Sequence, residues 1–151
     1  MRQRSEFSFA FHRGWLVTAF VLSMTGPVAA DTHVSTLAPS DPDPEQQVIV
    51  KISSRSFDPS TVTLRAGQKT KLVFQNHDAE LHAFVPVGLF VGVNLNITGN
   101  GAPEFGAEGF KRVIIPSEGR TEIRFVPERP GVYPFSCDMP GHEMKATIVV
   151  Q

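Results

Sequence analysis

Gly131-Val132-Tyr133-Pro134-Phe135-Ser136-Cys137-Asp138-Met139-Pro140-Gly141-His142-Glu143-Met144 holds the only cysteine of this 151-residue chain. The alternation in residues 132–137 predicts a strand, on which Tyr133, Phe135 and Cys137 point to one side. The thiol is thereby delivered to the apolar interior at the strand's end. Pro140-Gly141 turns the chain, so that His142 and Met144 come back toward the sulfur. Met144 also shares a face with Ala146, Ile148 and Val150, which sets it at the rim of a core. A second imidazole has to come from elsewhere, and His82 is the candidate. It shares a strand face with Phe84, after the polar run Asn76-His77-Asp78-Ala79-Glu80. A thiolate, two imidazoles and a thioether form a soft nitrogen–sulfur set that suits copper with a long axial sulfur. A structural zinc site takes four strong ligands, and a thioether is not one.

Outward from this stretch the pattern is short and alternating. Val48, Val50 and Ile52 share one face. Val62 and Leu64 alternate with Thr61, Thr63 and Arg65, and Ala66-Gly67-Gln68 turns the chain toward Leu72 and Phe74. Further strands are predicted at 81–85, 110–115, 121–126, 132–137 and 145–150, with Gly or Pro in the breaks between them. No sustained helical period follows the first thirty residues, so the chain reads as an all-β sandwich or barrel. Residues 88–109 do not fit a hairpin. They start apolar (Leu89, Phe90, Val91), continue Gly/Asn-rich, and are expected to form one long insertion, an extra strand or short helix followed by a loop over one end of the sandwich. Asn96-Ile97-Thr98 matches a glycosylation acceptor, a motif too short to carry weight.

The N-terminus reads as an export signal. Arg2, Arg4 and Arg13 precede an apolar run from Trp15 to Met24, and Val28-Ala29-Ala30 is a small-residue cleavage site. The run is shorter than the roughly 20 residues needed to cross a bilayer. The expected organisation is therefore a signal peptide (1–30), an extended Pro/Asp/Ser/Thr-rich tether (31–46) and one folded domain (47–151), with no membrane span after cleavage. Fourteen Lys and Arg face fifteen Asp and Glu in the whole chain, and the leader removes three of the arginines against Glu6. The remainder is mildly acidic, without a basic cluster to hold nucleic acid. A lone cysteine in an exported protein needs burial, a metal or a partner to protect it.

Residues 47–151 resemble the cupredoxin family. Cys137-Asp138-Met139-Pro140-Gly141-His142, followed by Met144-Lys145-Ala146-Thr147, is similar to the azurin-type loop, Cys-Thr-Phe-Pro-Gly-His and then Met-Lys-Gly-Thr. Phe57-Asp58-Pro59 through Asn76 to His82-Ala83-Phe84 is similar to small periplasmic cupredoxin domains of bacteria. The resemblance implies a Greek-key β-sandwich holding one copper ion, with His82, Cys137 and His142 as equatorial ligands and Met144 as the weak axial one. The loop departs from the family's pattern in separating His142 from Met144 by Glu143 alone, which leaves Met139 and Glu143 as further candidates for the axial position. It also has Ala83 where azurins and plastocyanins carry an Asn that ties the two ligand loops together, with Asn76 as a candidate substitute.

The function so implied is periplasmic one-electron transfer to a redox partner protein, with no enzymatic turnover. Docking is expected to use an apolar patch that includes Leu89, Phe90 and Val91. The alternative is a metal-handling protein, serving copper trafficking or resistance, or ferrous-iron oxidation linked to uptake through a metal-transport component. Met139, His77 and the acidic Asp78, Glu80, Asp138 and Glu143 suit that role. A metal-free structural module is the third reading, and the complete ligand set opposes it.

Overall fold

The computed structural model describes residues 44–151. The expected signal peptide, and all of the expected tether but its last three residues, lie outside the described residues. Eleven strands, β1 (Gln46–Ser53), β2 (Ser56–Asp58), β3 (Thr61–Leu64), β4 (Thr70–Asn76), β5 (His82–Pro86), β6 (Asn96–Gly99), β7 (Ala102–Gly106), β8 (Gly109–Ile115), β9 (Arg120–Phe125), β10 (Gly131–Ser136) and β11 (Lys145–Val150), form two sheets. The first runs β2-β1-β4-β9-β6 and the second β3-β11-β10-β5-β8-β7. Pairing is antiparallel except for β1 with β4 and β3 with β11. Among the described residues there is no helix long and apolar enough to cross a membrane.

Side-chain alternation explains the layers. β9 (RTEIRF) and β11 (KATIVV) bury every second residue, as strands with one face on a core do. β4 lies between β1 and β9 and is buried at five of its seven positions, with the other two half-buried; Leu72, Val73 and Phe74 are its apolar centre, and the polar Thr70 and Asn76 are buried at its ends. Between the sheets the fully buried Phe74, Phe84 and Phe135 form the centre. Ring centroids lie 4.4 Å apart for Phe74 and Phe84, and 5.1 Å for Phe84 and Phe135. Burying each such ring contributes about 1.5–3 kcal/mol, so this cluster is a main source of the sandwich's stability.

The predicted strands at 81–85, 110–115, 121–126 and 132–137 are present with their ends moved by one residue. Residues 88–109 differ from expectation. Instead of a strand or helix followed by a loop over one end, they supply an edge to each sheet. β6 pairs with β9, and β7 makes a hairpin with β8. Their apolar start is not a docking patch either. Leu89 and Phe90 are buried, and Phe90 packs edge-on against Phe84, Phe110 and Phe125. Of the three residues only Val91 is exposed. A phenylalanine able to reach three other rings gains more in the core than in water.

Candidate metal centre

One end of the second sheet gathers the donors. β5 begins at His82, paired with Ile115 of β8, while β10 ends at Ser136 opposite Val85 of β5. Cys137 follows directly, and the loop from Asp138 to Met144 returns into β11. Gly141, at φ 76°, sits in the left-handed region and lets the loop reverse within a few residues. The His142 N–H donates to the Met139 carbonyl (3.0 Å) and the Cys137 N–H to the Met144 carbonyl (3.1 Å), closing the loop on itself.

Cys137 Sγ lies 3.9 Å from His82 Nδ1 and 3.4 Å from His142 Nδ1. The donor atoms of these three residues all fall within 4.8 Å of one another. A first-row metal bound about 2.0 Å from nitrogen and 2.3 Å from sulfur, at a trigonal angle, separates the two donors by roughly 3.7 Å. The observed distances bracket that value. His82 is wholly buried and Cys137 nearly so. The backbone N–H of Ala83 donates to Cys137 Sγ at 3.2 Å, which fixes the sulfur against the start of β5. Met144 is buried in the same core cluster, Met139 is partly buried against it, and Glu143 is exposed. This soft, water-excluding donor set fits one copper ion.

Around these donors the structure shows groups that sequence reasoning did not connect. The Asp78 carboxylate accepts from His82 Nε2 at 2.8 Å and from the backbone N–H groups of Ser54 (2.7 Å) and Arg55 (3.0 Å), in the turn between β1 and β2. Those hydrogen bonds, Arg55's first, hold the Asp78 carboxyl below the usual carboxylate range. Glu80 lies 3.5 Å from His142 Nε2, and its two carboxylate oxygens accept from Nε and Nη2 of Arg55, which also holds its carboxyl low. Arg112 of β8 donates to Asp138 in the cysteine loop and to Glu104 of β7, tying the loop to the sheet edge. No local pattern could have announced the arginine contacts, since Arg55 is 25 residues from Glu80 and Arg112 is 26 from Asp138.

One expectation is corrected. Asn76 does not tie the ligand loops together. Its amide donates to the carbonyls of Glu80 (2.8 Å) and Pro116 (2.9 Å), and its Oδ1 accepts from the Asp78 N–H, so it braces the approach to His82 against the β8–β9 turn. The Ala83 backbone makes the direct tie to Cys137, which needs no side chain at that position. His77 is exposed and joins none of the donor clusters found among the described residues.

A two-sheet antiparallel-rich sandwich with one thiol and two imidazoles converging at a strand end is the architecture of a mononuclear soft-metal protein of the cupredoxin type. The profile of the cupredoxin-like domain family matches residues 16–150, and the chain belongs to that family. No curated protein matches the sequence. Among solved structures it is similar to auracyanin A, described as a "blue" copper protein from Chloroflexus aurantiacus, at 18% identity and a TM-score of 0.53, covering 72% of this chain and 100% of that one. Auracyanin B matches at 22% identity and 0.52, over 70% of this chain and 88% of that one. A dithionite-reduced auracyanin from Roseiflexus castenholzii matches at 19% and 0.52, over 70% and 97%. At such identities these likenesses speak to the fold.

Proposed function

We propose that this chain is an exported, periplasmic carrier of single electrons, in which His82, Cys137, His142 and Met144 would hold one copper ion. The observation that carries the reading is the convergence of three donors, His82 and Cys137 buried and His142 partly so, with Cys137 Sγ hydrogen-bonded by a backbone N–H. Bound copper supplies the one-electron couple. The chain keeps the donors in place through sheet pairing and core packing, and the buried His82 and Met144 keep water out. A site that moves little between charge states exchanges electrons with little reorganisation. The basic leader and its small-residue cleavage site support export, and the mildly acidic surface without a basic cluster supports a protein partner rather than nucleic acid.

Ferrous oxidation or metal delivery would use carboxylates free to bind a second ion beside the copper. Asp78, Glu80 and Asp138 are each engaged by backbone N–H groups or by arginine, which favours the carrier over the metal-handling reading. Glu143 is the exposed exception, and no catalytic turnover is proposed for it.

Protein recovered from the periplasm, with an intact mass beginning at Asp31, should take up one copper(II) per chain and develop an intense visible thiolate-to-copper band. Cys137→Ser should abolish the band. Retention of the leader would overturn the export proposal, and a band that survives in Cys137→Ser would overturn the copper-site proposal. Ferrous oxidation that is catalytic and falls in Glu143→Gln would move the assignment to metal handling.

A further inference from the structure

The β1–β2 turn sits behind both imidazoles, although none of its residues is a donor to the metal. Ser54 and Arg55 adopt φ values of 50° and 55°, an unfavourable conformation for residues other than glycine, asparagine or aspartate. The conformation turns both of their N–H groups onto one carboxylate, that of Asp78. Asp78 passes this fixation on, since its Oδ2 meets Nε2 of the wholly buried His82 at 2.8 Å. An imidazole that gives its Nε2 proton to a carboxylate must present Nδ1 as the lone-pair donor, and Nδ1 is the atom facing Cys137 Sγ. The Arg55 guanidinium meanwhile holds Glu80, whose carboxylate lies 3.5 Å from Nε2 of His142. One turn thus leaves a carboxylate acting on the first histidine and neutralises the carboxylate beside the second.

We propose that Asp78 and Arg55 are positioning residues that set the balance between the two oxidation states of the copper, Asp78 by strengthening His82 as a donor and Arg55 by masking Glu80 from His142. The inference rests on the copper reading above. A carboxylate behind an imidazole ligand raises its basicity and favours the more highly charged metal ion, and loss of such a partner typically costs 10–100-fold in affinity. Asp78→Asn keeps the shape and removes the charge. It should shift relative affinity toward copper(I) by about 10–100-fold, which at about 59 mV per tenfold raises the reduction potential by roughly 60–120 mV. Arg55→Gln unmasks Glu80 and should lower the potential, by less because these groups are half-exposed and screened. Adding Glu80→Gln to Arg55→Gln should bring it back toward the parent value.

The opposite signs separate positioning from simple loosening of the site, which would move both variants the same way. Voltammetry of the three variants reads the signs. Nitrogen-15 NMR of the metal-free parent reads the His82 tautomer, expected with its proton on Nε2, and needs neither copper nor a variant. A proton on Nδ1, an unchanged potential in Asp78→Asn, shifts of the same sign in Asp78→Asn and Arg55→Gln, or no recovery in the double variant would overturn the proposal. Absence of the thiolate band in the parent would instead overturn the copper reading and leave the tautomer result standing.

Discussion

Burial orders the three side chains that compete for the axial place. Glu143 is exposed, Met139 is partly buried, and Met144 is 3% exposed, with its own carbonyl accepting from the Cys137 N–H. A thioether held in the core would be a weak donor to copper(II), and its removal should be felt in the potential more than in occupancy. Met144→Leu conserves volume, so folding should lose less than about 1.5 kcal/mol. It should keep copper and raise the reduction potential, whereas Met139→Leu and Glu143→Gln should leave the potential near the parent value. Voltammetry on the three proteins decides the matter, and a response in Met139 or Glu143 alone would reassign the axial group. The sequence makes Met144 visible because Cys137, His142 and Met144 lie within eight residues on one strand end and its loop. Asp78 was invisible as a partner of His82, because what fixes it is the backbone of a turn 23 and 24 residues earlier, and backbone donors leave no residue signature.

Strands that bury one face were legible, the edge strand β3 among them, and the edge strands β6 and β7 were not, for a reason of exposure. β9 and β11 alternate because every second side chain meets the core. β6 has three exposed residues and one half-buried, and β7 four and one, so no alternation marks them. Backbone pairing defines these edges, joined on β7 by the Glu104–Arg112 ion pair and the Phe105–Phe110 contact, and on β6 a glycine carries the geometry. Gly99 ends β6 at φ 102°, and a Cβ there would stand 2.2 Å from the Arg120 carbonyl oxygen. Gly99→Ala should therefore cost at least the roughly 1–3 kcal/mol typical of a strained residue, as the clash with backbone comes on top. Denaturant unfolding should show a lower midpoint at an unchanged slope. Gly106→Ala, where a Cβ meets nothing within 4 Å, should be far milder. Equal losses at the two positions would mean that β6 does not pair as described.

At the scale of the whole molecule, the question is whether the metal organises the site or finds it organised. Contacts within the protein aim the donors. Ala83 bonds the sulfur, Asp78 bonds His82, Cys137 bonds the Met144 carbonyl, and β5 and β10 are paired over the Phe74–Phe84–Phe135 cluster. Folding should therefore precede metal binding, unlike small zinc domains that unfold without their ion. Copper then stabilises by mass action, since it binds the native state far better than the unfolded chain. At free copper about 100-fold above its dissociation constant the gain is roughly 2.7 kcal/mol, on the order of 10 °C in Tm for a domain of this size. Copper removal should leave the far-ultraviolet β spectrum unchanged and lower Tm by that order. Cys137→Ser, which keeps the fold and loses the thiolate, should melt near the metal-free parent with or without copper. A metal-free chain lacking the β spectrum would show that the ion builds the site, and a Tm indifferent to copper in the parent would show that no native-state site exists.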